Sequence, residues 1–123
     1  MASEQEQINI TIKAEGDLST FQYRAVNVVA SGYGTVSSGT ADELIGILQN
    51  KPAAYGRAAK VCVAGHTKAI AGAAITSLGP VGVLNAGYLQ TVATDGASIM
   101  GYNLTTASGS GSYFEMIVNP KCR

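Results

Sequence analysis

Residues 8–13 read Ile8-Asn9-Ile10-Thr11-Ile12-Lys13, a strict alternation of aliphatic and polar side chains. A period of two sends Ile8, Ile10 and Ile12 to one side and Asn9, Thr11 and Lys13 to the other. That is the pattern of a β-strand with one buried face. The same signal recurs along the chain. Phe21-Gln22-Tyr23-Arg24-Ala25-Val26 alternates and runs on into Val28-Val29, after a turn at Glu15-Gly16-Asp17. Ser31-Gly32-Tyr33-Gly34 breaks the pattern, and residues 35–40 are small and polar, as in a flexible loop. Ile45-Gly46-Ile47-Leu48 reads as a buried strand whose glycine admits a close neighbour.

Further strands are expected at Arg57–Ala64, ended by Gly65, and at Thr67–Ile70. Others are expected around Val83-Leu84 and at Tyr88–Ala93, Ile99–Leu104 and Tyr113–Val118. Thr40-Ala41-Asp42-Glu43 could cap a single helical turn, with a hydroxyl and two acids placed to meet free N–H groups. Short strands punctuated by turn signals, with 15 glycines in 123 residues, indicate an all-β fold. The expected form is a small β-sandwich or barrel with at most one short helix. An N-terminal arm, residues 1–7, would precede a single β domain, residues 8–123. A helical reading of Pro52–Ala64 and Ala69–Leu78 competes because alanine favours helix. Gly56, Gly65, Gly72 and the β-branched Val61, Val63 and Ile70 weigh against it.

Composition narrows the function classes. Eight Lys+Arg balance eight Asp+Glu, and only 13% of residues are charged. A phosphate-gripping nucleic-acid clamp needs a basic excess that is missing here. Two cysteines, Cys62 and Cys122, do not make a disulfide framework, and in a reducing compartment they are expected as free thiols. The acidic, polar start is unlike a signal peptide, so the chain is expected to stay on the cytosolic side of any export pathway. No apolar run approaches the roughly 20 residues of a membrane-spanning helix.

Candidate chemistry is thin. His66 is the single histidine, and it stands four residues after Cys62, a spacing that brings side chains together on a helix but not on a strand. A zinc site takes three or four ligands, and a thiol nucleophile needs an orienting third group. His66 is therefore expected at a surface turn and Cys62 in the core. Gly32-Tyr33-Gly34 and Gly65-His66-Thr67-Lys68 lack the order and context of nucleotide-binding loops. Asp42 and Glu43 are adjacent, so their side chains diverge and make a poor acid–base couple. No catalytic, cofactor-binding or metal-binding residues are assigned, and no cofactor is expected.

The sparse charge leaves Ser, Thr, Asn, Gln, Ala and Gly to cover the surface. Such a skin suits close packing against other subunits, and equally a plain soluble monomer. The Ile8–Lys13 strand could add to the edge of another chain's sheet or simply be the first strand of its own barrel.

The stretch from Thr40 to Ala54, Thr40-Ala41-Asp42-Glu43-Leu44-Ile45-Gly46-Ile47-Leu48-Gln49-Asn50-Lys51-Pro52-Ala53-Ala54, resembles the small capsid decoration, or cement, proteins of tailed bacteriophages. Gly56, Ala59-Lys60-Val61, Gly65 and Ala71-Gly72-Ala73-Ala74-Ile75 continue the likeness. Phe21–Val26, Thr94-Asp95-Gly96 and Gly101 fit the same pattern, which covers residues 16–75 best. The resemblance implies a structural virion protein rather than an enzyme. It would be made in the host cytoplasm and attached to the outer capsid surface, where it bridges neighbouring major capsid subunits and stabilises the expanded head. It further implies self-association as a trimer or dimer at local symmetry axes, with no direct contact to nucleic acid or membrane. The expected capsid-contact residues are Ile8, Asn9, Ile10, Thr11 and Ile12 on the first strand, and Val81, Val83 and Leu84 in the Gly79–Tyr88 segment. The alternatives are another β-rich virion component, such as a head-fibre base or tail protein, or a small cytosolic ligand-binding barrel.

Overall fold

The computed structural model describes residues 7–29, 32–37, 44–84, 86–92 and 98–122. Among them there is no helix. Nine strands form one antiparallel sheet: β1 (Gln7–Lys13), β2 (Ala25–Val28), β3 (Gly34–Val36), β4 (Leu44–Leu48), β5 (Ala58–Ile70), β6 (Pro80–Val83), β7 (Leu89–Thr91), β8 (Ser98–Asn103) and β9 (Tyr113–Cys122). Their order is β3-β2-β4-β5-β9-β8-β6-β7, with β1 paired to β5 off this path. The all-β expectation holds, and the Ala-rich helical alternative is excluded, since Ala58–Ile70 is strand. The capping turn expected at Thr40–Glu43, and with it the acid pair Asp42–Glu43, lies outside the described residues.

The sheet curls until its ends approach each other. The Ala25 N–H donates to the Gly87 carbonyl at 2.9 Å, and the Gly87 N–H donates to the Ser37 carbonyl at 2.7 Å. These bonds tie the turn before β7 to β2 and to the end of β3. Arg24 crosses the same seam: its guanidinium lies over the Tyr88 ring, 3.9 Å from the centroid, and donates to the Tyr88 hydroxyl at 2.7 Å. Gly87 has φ +77°, and an added Cβ would stand 2.6 Å from Val36 Cγ2 and 2.9 Å from the Ala25 carbonyl oxygen. Only glycine fits there.

Two cores lie on opposite sides of the sheet. Ala25, Ile47, Cys62, Val81, Val83, Leu89, Met100 and Met116 belong to the larger, inside the curl. Ala14, Leu18, Val26, Leu48, Ala59 and Val61 form the smaller, with Ile12 and Phe21 packed against it. Neighbouring residues of one strand divide between them: Ala25 and Val26, Ile47 and Leu48, Cys62 and Val61. Segment 14–21 therefore covers the outer face of β2, β4 and the first half of β5. Strands buried on both faces read as continuous apolar runs, which is why Ile45–Leu48 looked like a buried strand. The close approach expected at Gly46 is present: a Cβ there would collide with the Cys62 carbonyl oxygen and stand 2.7 Å from Val61 Cγ1.

Four expectations are corrected. Gly65 does not end a strand. It sits at φ +108° inside the thirteen-residue β5, just past a bulge at which the partner register jumps from Ala64 to Cys62. The extra residue reverses the inward parity, so Cys62 faces the inner core before the bulge and Thr67 and Ala69 face inward after it. β2 begins at Ala25, not Phe21, because Phe21–Arg24 forms a turn with Tyr23 at φ 66°. Gly34–Val36, expected as loop, is a short strand paired to β2. The strand expected at Val83-Leu84 lies earlier, at Pro80–Val83, and pairs with β7 and β8.

Candidate interaction surface

β1 is held by its backbone ladder and, at its C-terminal end, by Ile12 on the outer core. Its ladder to β5 runs from Gln7↔Gly65 to Lys13↔Ala58, and β5 is its one strand partner among the described residues. At its start the Gln7 amide donates to the His66 carbonyl at 2.9 Å. Gln49 reaches from the same neighbourhood to the buried Thr67 hydroxyl at 2.8 Å. The expected buried isoleucine face is corrected here. Ile12 packs on the outer core, but Ile10 is 41% exposed and Ile8 64% exposed. The strand runs outward past the edge of that core, so its aliphatic row emerges from cover step by step. Asn9, Thr11 and Lys13 are exposed on the other side. An open edge strand with two solvent-facing sides is a template for another chain.

Beside β1, Thr11, Ile12, Lys13, Tyr33 and Ala58 line an open groove of about 580 Å³. Tyr33 stacks on Tyr55 with ring centroids 5.0 Å apart, and the Lys13 ammonium lies 6.0 Å from the Tyr33 centroid. The Tyr33 contact raises the Tyr55 phenol above its ordinary pKa.

The other expected contact residues are not equally placed. Val81 and Val83 are fully buried in the inner core and present no surface to a partner. Their strand, β6, lies between β7 and β8, which puts both side chains inside. Leu84 is half-buried at the end of β6. The sequence thus brings Ile8–Ile12 together as a surface but does not join the Gly79–Tyr88 segment to it.

Cys62 and His66 face opposite sides of the sheet. The Cys62 thiol is buried in the inner core, donates to the Ala64 carbonyl at 3.3 Å, and is pushed up in pKa by burial. His66 is in mid-strand, not at a turn, with its Nε2 2.7 Å from Glu115 Oε1 on β9. The nucleophile arrangement weighed above is not formed by these two residues. Among the described residues no three of His, Cys, Asp and Glu gather as a metal site would require. Compared with models of protein families, with curated proteins and with solved structures, the chain matches none.

Proposed function

We propose that this chain is a structural protein that decorates the outer surface of a tailed-phage capsid, bridging neighbouring major capsid subunits and stabilising the expanded head. The observation that carries the reading is β1: an edge strand tied to its own sheet along one side, with Ile8 and Ile10 held in solvent. The likeness of residues 16–75 to cement proteins supplies the partner. The mechanism is mass action. A protein that binds only the expanded shell stabilises it by an amount set by its free concentration relative to its dissociation constant. Many copies with modest interfaces then add up.

Deleting residues 1–13 is a poor test, because it also removes Ile12 from the outer core and uncovers one edge of β5. Replacing Ile8 and Ile10 with lysine alters the exposed row and keeps the ladder. The double variant is expected to fold like the parent and to lose binding to expanded heads by at least about tenfold, roughly 1.4 kcal/mol. Unchanged decoration by the folded variant would refute the role of β1.

A further inference from the structure

Two turns far apart in sequence, at Gly32-Tyr33 and at Tyr55-Gly56, meet at the end of β1. Residues 14–15 hold both. The Ala14 N–H donates to the Arg57 carbonyl and the Gly56 N–H donates to the Ala14 carbonyl, each at 2.8 Å, while the Glu15 N–H donates to the Gly34 carbonyl at 2.9 Å. The turns so held bring Tyr33 and Tyr55 together, their ring planes 27° apart. Neither ring belongs to a core. Tyr55 is exposed, and Tyr33 covers only one of its faces. The other is a flat apolar platform in solvent.

The rim of this platform is polar and carries both signs of charge. Thr11 and Lys13 line the groove beside the rings, with the Lys13 ammonium near the Tyr33 ring. The Tyr33 hydroxyl, and after it the Glu15 carboxylate, raise the Tyr55 phenol, which puts Glu15 on the same rim. Neither Lys13 nor Glu15 forms an ion pair among the described residues. The groove stays open at Gly32 and Gly56, where a Cβ would meet nothing within 4 Å beyond the chain neighbours.

We propose that this groove binds a neutral saccharide, with one pyranose ring lying on Tyr55. A pyranose whose hydroxyls are equatorial has a flat face of C–H bonds, which suits an aromatic ring. Its edge carries hydroxyls that both donate and accept, so Lys13 and Glu15 can each serve one of them. An ion of either sign would instead meet one attraction and one repulsion from that pair. The groove, at about 580 Å³, falls within the range of small-molecule clefts. Its rings are already set by backbone bonds, so little ordering is needed on binding. The site is separate from Ile8 and Ile10 and stands whether or not the protein decorates a capsid.

NMR titration of the full chain with cellotetraose and with maltotetraose, both uncharged glucose oligomers, up to roughly 20 mM tests it. At least one is expected to give saturable shifts at Thr11, Tyr33 and Tyr55, with a dissociation constant on the order of 1 mM. Tyr55→Phe keeps the flat face and is expected to bind within about threefold of the parent, whereas Tyr55→Leu, apolar but not flat, should weaken binding at least about tenfold. Circular dichroism confirms that each variant is folded. Absence of saturable shifts with both oligomers, undiminished binding by folded Tyr55→Leu, or tighter binding of the acidic tetragalacturonate would overturn the proposal. Head binding by the Ile8→Lys/Ile10→Lys variant is read separately, so either conclusion can fail without the other.

Discussion

Gly46 and Cys62 show how a single atom can decide whether two neighbouring strands pack. A methyl group on Gly46 collides with the Cys62 carbonyl, which belongs to the backbone of β5 and cannot rotate aside. Gly46→Ala is expected to cost about 3 kcal/mol, the upper end of the overpacking range, measured by urea denaturation. The Cys62 thiol is buried with its pKa raised, so a thiol reagent at pH 8 should label it only as fast as the protein opens; labelling at the unfolded rate would contradict that burial. Asp17 is solvent-exposed, and its carboxylate accepts hydrogen bonds from the side chain and the backbone N–H of Ser19, which lowers its pKa. A lowered pKa contributes stability above the unfolded value near 3.8 that disappears as pH falls through the folded one. An NMR titration should therefore find Asp17 below the ordinary carboxylate range, and Ser19→Ala should move it back up. The glycine at position 46 could be read from sequence because an apolar run interrupted by one glycine implies a close neighbour. Which backbone comes close could not, since β5 lies more than ten residues away along the chain.

Strand identity was largely legible, and strand environment was not. The alternation of Ile8–Lys13 fixes which side chains share a face, but says nothing of whether another layer lies over that face. In the folded chain, segment 14–21 reaches Ile12 and stops short of Ile10 and Ile8. Ile12→Ala is accordingly expected to destabilise by about 1–2 kcal/mol, while Ile8→Ala stays within about 0.5 kcal/mol. Equal losses at both positions would mean that β1 is covered along its whole length. Gly65 misled for a related reason. Local rules make a glycine a terminator, whereas the ladder to β9, which begins at Gly65↔Val118, carries the strand through. Val81 and Val83, expected as contacts, stand among glycines in a pattern that does not by itself tell an exposed segment from a buried strand. The pairing of β6 between β7 and β8 puts them inside. Likewise Tyr113-Phe114-Glu115-Met116-Ile117-Val118 carries large apolar residues on both faces, so the sequence does not tell which is inside; Phe114, Met116 and Val118 are buried and Tyr113 and Ile117 exposed.

For the whole molecule, the curl and its seam leave three kinds of surface. One is the side covered by segment 14–21, the second is the edge strand β1 with Ile8 and Ile10 exposed, and the third is the outer side of β5, β9 and β8, which carries the His66–Glu115 pair. The proposed bridging role needs a surface for the shell beneath, which β1 would supply, and the scarcity of charge suits close packing there. Centrifuging the purified chain with heads of the phage proposed to encode it, before and after expansion and with no other virion protein present, tests the proposed capsid role most directly. Saturable binding to expanded heads alone, at a fixed ratio to the capsid subunit and lost in the Ile8→Lys/Ile10→Lys variant, is the predicted result. Failure of the folded parent protein to pellet with either form of head would contradict it.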